Sequence, residues 1–391
     1  MRTYNEYVNI LDRNIRDFFE EAVRLNDFMA ANPELGGEEF QASSRMVKTL
    51  EDLGFTVEYP FAGIETAFRG VLGTGRSPVV AIMVEYDALP EIGHACGHCL
   101  HGSMSLLAAA GLAELMKEID GTLWVVGTPA EETNGAKVAM VEKGVFDGVS
   151  LAMMIHCNSR DSFVRYSCLA LEPVRFTFRG KTAHAAGAPW EGLNALNGLQ
   201  LLFHAVDMLR QHVKPDVRMH GIIREGGTAP NIVPEKASAD FYFRSEERKY
   251  LNEILEKVFD CARGAALATG TEVSWEIFET SFDNMAPNEP AEVMMEEVYR
   301  ELGIPLSSSP GPMGSSDVGN VSHVCPAIQP MLAILDRQVA AHTREFADAV
   351  TSPMGYEALE KGGRALGRAA LKAFLDASLR ERMQSSLVEN S

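Results

Sequence analysis

Short apolar runs alternate along this chain with longer segments whose apolar residues recur every three or four positions. The runs 78–84 (PVVAIMV), 122–127 (TLWVVG) and 149–155 (VSLAMMI) have strand length and little polar alternation, the pattern of strands buried on both faces. A segment rich in Ala, Leu and Met at 102–117, reading as a buried helix, follows the first, and a helix near 135–144 follows the second. Strands alternating with helices predict a mostly parallel sheet with helices on both sides. Upstream, Tyr7, Ile10, Ile15, Phe18, Phe19, Val23 and Phe28 predict a helix over 5–31, stopped at Asn32-Pro33. A second helix is expected at about 39–53, ending at Gly54, with strands near 55–59 and 66–72.

Near residue 170 the rhythm changes. Strand 172–179, helix 192–212, strands 217–224 and 236–243, helix 246–269 and strand 271–279 follow in turn. That is the ferredoxin-like order β-α-β-β-α-β. A helix near 289–302, a glycine-rich loop from Gly311 to Asp317 and a closing helix at 355–378 complete the chain. The expected organisation is an α/β catalytic domain of 1–169 and 285–391, interrupted by a lid or dimerisation domain of 170–284.

Composition narrows this picture. With 391 residues, 46% of them hydrophobic, the chain is long enough for two globular domains. A formal charge of −19 argues against nucleic acid or an anionic membrane as partner, since binding phosphates requires a basic surface. Six scattered cysteines do not make a disulfide framework. The N-terminal residues do not read as a signal peptide, and no apolar run approaches the roughly 20 residues of a membrane span. The expectation is a reduced, soluble, cytoplasmic protein.

Candidate chemistry gathers where the three apolar strands end. Glu85 to His101 (EYDALPEIGHACGHCLH) follows the first, Glu131-Glu132 the second, and His156-Cys157 the third. In open α/β sheets ligands collect outside the carboxyl ends of the strands. Cys96 and His98, separated by a glycine, offer soft and borderline ligands to a transition metal. They could equally be a buried thiol beside a capping histidine, or half of a zinc knuckle with Cys99 and His101. In an extended segment Glu131 and Glu132 would point opposite ways, one towards a metal and one towards a water as base. Acidic decoration of a helix start is the plainer alternative. Asp87 could cap a turn, and His156 and His342 could be satisfied core histidines. His184 sits on a small-residue loop of the inserted segment.

Together EYDALPEIGHACGH, GTPAEE, GKTAHAAGAPWEGLNAL, HGIIREGGTAPNIVP, ADFYFRS, GSSDVGN and HTREFAD resemble the amidohydrolase branch of the di-metal metallopeptidases, peptidase family M20. That branch contains p-aminobenzoyl-glutamate hydrolases, auxin-conjugate hydrolases and dipeptidases of the β-alanyl-lysine type. The resemblance implies two divalent ions, zinc or manganese with cobalt as a further option, held by Cys96, His98, Glu132, His156 and His342. It implies Glu131 as general base and Asp87 as the carboxylate orienting a ligand. It further implies that His184 reaches across a homodimer formed through the lid, and that Asn231 and Arg244 contact substrate. The implied reaction is hydrolysis of an amide bond in a small N-acyl or aminoacyl amino acid. An aryl amide, an aromatic amine or a small xenobiotic would suit the same site, and a non-catalytic binding protein is the reading from another class. Three positions depart from the branch: Cys99 replaces Asn or Asp, Gln329 replaces histidine, and Cys157 rather than proline follows His156.

Overall fold

The computed structural model describes residues 2–312 and 314–390; Met313, within the glycine-rich loop, lies outside them. In chain order the elements begin with α1 (Tyr4–Ala31), α2 (Phe40–Asp52), β1 (Thr56–Glu58), β2 (Phe68–Gly73), β3 (Val79–Val84), α3 (His98–Ala113), β4 (Thr122–Gly127), α4 (Ala136–Glu142), β5 (Leu151–Met153) and β6 (His156–Asn158). They continue with β7 (Ala170–Arg179), α5 (Ala195–Leu209), β8 (Arg218–Glu225), β9 (Lys236–Ser245), α6 (Arg248–Thr269) and β10 (Glu272–Ile277). The last are α7 (Glu289–Glu301), α8 (Val318–Ser322), β11 (Ala327–Ile328), β12 (Met331–Ala333), α9 (Arg344–Ala349), α10 (Pro353–Leu375) and α11 (Ala377–Asn390).

Two compact units divide the chain. One comprises 2–167, 285–311 and 316–390; the other comprises 168–284 with 312, 314 and 315. The first is built on a six-stranded mixed sheet in the order β1-β2-β4-β3-β5-β11. Pairings β4–β3, β3–β5 and β5–β11 are parallel, while β1–β2 and β2–β4 are antiparallel. Every residue of α3 is buried, as expected of a helix apolar on all sides, and it packs against α1, α10 and β3. The second unit holds an antiparallel sheet, β10-β7-β9-β8. Phe176, Phe178, Phe241 and Phe243 point from it into a core shared with α5 and α6. Among the described residues no helix is long and apolar enough to cross a membrane.

Three local expectations need correction, each for a reason that bears on the site. The helix after β3 starts at His98, not 102, because Gly97 turns the chain and lets both imidazoles join the first helical turn. The run 149–155 does not form one strand: β5 stops at Met153, and His156 begins β6, paired in parallel with β12. His156 is therefore held within a strand rather than trailing one. The closing helix breaks at Asp376, whose carboxylate accepts the Leu379 N–H at 3.0 Å and starts α11.

Candidate active site

The chain leaves β3 with Glu85, Tyr86 and Asp87 in succession, all buried. Ten residues later Gly97 adopts φ 90°, and a side chain there would lie 2.8 Å from the Cys157 Cβ; only glycine makes that turn without strain or collision. The turn places Cys96 and His98 side by side. Asp87 then serves both halves of the site, with one oxygen 2.8 Å from His98 Nδ1 and the other accepting the Glu132 N–H at 3.0 Å. His98 Nε2 is left buried without a hydrogen-bond partner. Burial works against charge on His98, yet Asp87, Cys96 and Glu85 raise its pKa well above the ordinary value. The free nitrogen thus sits where a cation is favoured, be it a proton or a metal ion.

His156 spends its Nδ1–H on the Cys157 carbonyl at 2.7 Å, and its Nε2 is 3.5 Å from Cys96 Sγ. Burial lowers its pKa, which keeps the ring neutral and able to ligate. Burial also pushes the Cys96 thiol up, only partly offset by His98. Glu132 Oε1 is 3.2 Å from His342 Nε2. Its pKa is held at about 2, burial being outweighed by His342 and His98. Ligand atoms of Cys96, His98 and Glu132 lie within 4.8 Å of one another, as do those of His98, His156 and Glu85. The five expected ligands therefore meet in one place.

Glu131 and Glu132 are not on an extended segment. They occupy a turn entered through Ala130 at φ 59°, a backbone state that a non-glycine residue keeps only when its surroundings enforce it. Glu39 enforces it by accepting the Ala130 N–H at 2.8 Å, while its other oxygen takes Thr66 Oγ1 and the Gly37 N–H. His342 is likewise at φ 63°, anchored by its N–H to the Ala95 carbonyl at 2.9 Å.

The sequence pattern assigns no role to Glu39, Glu85, Lys137 or Asp317. Lys137 is fully buried, with Nζ 2.7 Å from both Glu85 Oε1 and Asp317 Oδ1. Its one signal in the sequence is a lysine among the small and apolar residues of α4. The zinc-knuckle alternative is excluded by hydrogen bonding. His101 Nε2 accepts the Cys157 N–H at 2.8 Å, so Nδ1 carries the proton towards Glu85 at 3.1 Å, and neither nitrogen is left for a metal. Cys99 belongs to the hydrophobic core, and burial pushes its thiol up to about 12. Gln329 is buried and accepts from the Ser316 hydroxyl at 3.0 Å.

The remaining candidates lie in the second unit. His184 is exposed, and its Nδ1 accepts the Ala186 and Gly187 N–H groups at 3.2 and 3.0 Å. Its proton is therefore on Nε2, at the outward tip. Asn231, also exposed, is tied to the same loop by accepting the Ala185 N–H at 3.0 Å. The Arg244 guanidinium bonds Ser315 Oγ at 3.1 Å and lies 5.8 Å over the Tyr242 ring, with its Nε buried and unpartnered.

Residues 81–372 match the family described as Peptidase family M20/M25/M40. The chain belongs to this family. Among curated members it is 34% identical over 396 residues to a Xaa-Arg dipeptidase of Mus musculus, covering 96% of this chain and 91% of the relative. It is 32% identical over 320 residues to one of the p-aminobenzoyl-glutamate hydrolase polypeptides of Escherichia coli, covering 77% and 66%. In fold it resembles a Klebsiella pneumoniae aminobenzoyl-glutamate utilization protein, with TM-score 0.74, 20% identity and coverage of 93% and 98%. A dinuclear metal-binding M20 peptidase of Bacillus subtilis aligns with TM-score 0.70 at 18% identity, covering 92% and 99%. As a member of the M20 family, the chain is an amide-cleaving metallohydrolase.

Proposed function

We propose that the protein hydrolyses the amide bond of a small aminoacyl or N-acyl amino acid, a dipeptide-like substrate, with Glu131 as general base. The observation carrying this reading is the double use of Asp87, which orients His98 and fixes the Glu132 turn while leaving His98 Nε2 without a hydrogen bond, 3.5 Å from Glu85 Oε2. Such a carboxylate–histidine pair suits a ligand ready for a metal. His98, Cys96, Glu132, His156 and His342 would hold two divalent ions, zinc or manganese, with cobalt also compatible with the mixed donor set. Bound there, the ions would acidify a water and polarise the substrate carbonyl.

The residues supply the rest. Burial, then Glu85, Asp317 and Glu132, raise the Glu131 pKa well above the carboxylate range, which gives it the proton affinity a base needs. Glu131 takes a proton from the attacking water and returns it to the leaving amine. His184, with its proton on the exposed Nε2, donates to the developing oxyanion. We assign it to the site of a second copy of the chain, in a homodimer formed through a ferredoxin-like lid of 170–284. Arg244, with an unpartnered Nε, and Asn231 receive the substrate's terminal carboxylate and acyl group. The buried free thiols Cys99 and Cys157 suit a reducing, cytoplasmic setting.

The test is a panel of β-alanyl dipeptides, other aminoacyl dipeptides, N-acyl amino acids and aryl amides, each assayed with zinc, manganese and cobalt. Turnover confined to substrates with a free terminal carboxylate is expected. Preference for aryl amides lacking one would sink the substrate assignment.

A further inference from the structure

Glu85, Glu131 and Asp317 offer carboxylate oxygens within 4.8 Å of one another, a spacing at which three carboxylates could hold a third metal ion. A cation of the chain's own is already there. Lys137 Nζ lies 2.7 Å from Glu85 Oε1 and 2.7 Å from Asp317 Oδ1, and its backbone N–H reaches Asp317 Oδ2 at 3.2 Å. These residues come from the exit of β3, the first turn of α4 and the residue preceding α8, so the contact joins three separate elements. Two carboxylates of the trio are thereby tied down. The third, Glu131, receives no hydrogen bond from any described residue.

We propose that Lys137 is a positioning residue for amide hydrolysis: it holds Glu85 and Asp317 in fixed ion pairs and so leaves Glu131 as the one carboxylate of the trio free to act on water. The proposal rests on the reading of Glu131 as base. Lys137 also acts at longer range. The Glu85 oxygen opposite the lysine faces His101 at 3.1 Å, and His101 accepts the Cys157 N–H beside His156. Without the ammonium, Glu85 keeps His101 and Asp317 keeps the backbone N–H of residue 137, but each buried carboxylate loses its lysine ion pair. Glu85 and Asp317 are then free to shift, and Glu131 no longer stands among fixed neighbours. A lysine that only stapled the fold would cost stability whether or not Glu131 were present; a positioning lysine loses its catalytic effect once Glu131 is gone.

A double-mutant cycle separates the two. Lys137→Met keeps the bulk and removes the charge. It is compared with wild type, Glu131→Gln and the double variant for kcat, KM, metal content by elemental analysis and folding by circular dichroism. Expected for Lys137→Met is a loss of about 100-fold in kcat, the scale of an impaired general base, with KM within about threefold and metal content unchanged. In the Glu131→Gln background the same substitution should change the residual kcat by less than about threefold. Additive losses, or a fall in kcat that tracks a fall in metal content, would overturn the proposal alone. Full turnover in Glu131→Gln would overturn the base assignment and this proposal with it. Lys137→Gln, which still donates to both carboxylates, guards against misfolding of the methionine variant. An intermediate kcat supports the proposal, and a wild-type kcat overturns it.

Discussion

The loops of the candidate metal site and the 168–284 unit treat their polar side chains in opposite ways. Around β3, Asp87 uses both oxygens, His101 both nitrogens and Glu39 both oxygens, all on partners within the protein. In the second unit His184 and Asn231 face solvent, and Arg244 Nε is left without a partner. Where the second unit does build a dense polar cluster it is architectural: Arg248 ties Glu172, Asp283 and the Leu171 and Phe282 carbonyls together at 2.6–2.9 Å. Groups that shape transition-state charge must be fixed before substrate arrives, because reorganising them during reaction raises the barrier. Groups that recognise substrate, the role proposed for Asn231 and Arg244, can stay unpaired until the ligand supplies the missing bond, whereas His184, proposed to meet the oxyanion, has its Nδ1 held by the Ala186 and Gly187 N–H groups.

The largest test of that contrast is Glu131→Gln. The side chain keeps its size and loses its basicity, so kcat should fall by about 1,000-fold while metal content by elemental analysis stays at the wild-type level. Wild-type turnover would remove the base from the fixed half of the comparison. Next is the sharing of His184 between copies. Mixing His184→Ala chains with Glu131→Ala chains should restore about one quarter of wild-type activity, since half the dimers are mixed and each holds one complete site. No recovery in dimers verified as mixed would confine His184 to its own chain. A smaller effect is expected of Arg244→Ala, a rise in KM of roughly 10- to 100-fold for carboxylate-terminated substrates. KM for the same substrate with its terminus amidated should barely change. Equal losses on both would place Arg244 outside carboxylate recognition.

How much of this can be read from the chain alone follows from distance in sequence. The strand–loop–helix rhythm and the Cys96-Gly97-His98 turn are local, and the pattern of apolar runs exposes both. Asp87 lies only 11 residues from His98, close enough to be suspected from one motif. Lys137 finds its partners 52 and 180 residues away, and Glu39 meets Ala130 across 91; no periodicity encodes such pairings. The turn at Glu131 reads as extended in the sequence because Ala130 gives no hint of φ 59°, a conformation imposed by Glu39. His101 looks like a ligand by residue type, and only the Cys157 N–H on its Nε2 decides otherwise.

The smallest predicted effect concerns an acid whose task is architectural. Asp216, just before β8, accepts the Ser245 hydroxyl at 2.7 Å and the Glu246 N–H at 3.0 Å with one oxygen, joining the start of one strand to the end of another. Burial is the largest single influence and raises its pKa, but the Glu246 N–H and the Ser245 hydroxyl together with its other partners outweigh it, so the folded value is depressed. A depressed carboxylate contributes stability at pH above its unfolded value of about 3.9 and loses it as pH falls through the folded value. Asp216→Asn keeps an acceptor and removes the charge. Its Tm should therefore lie roughly 1–2 °C below wild type at pH 7, a small gap because the group is partly solvated. Thermal scans of both proteins should show that gap closing as the pH falls through the depressed folded value, where the wild-type carboxyl itself becomes protonated. Because Asp216 touches none of His184, Asn231 or Arg244, kcat and KM at pH 7 should match wild type. A change in KM would mean that the architectural and recognising groups of this unit are coupled, and that its unpaired side chains are less independent than their exposure suggests.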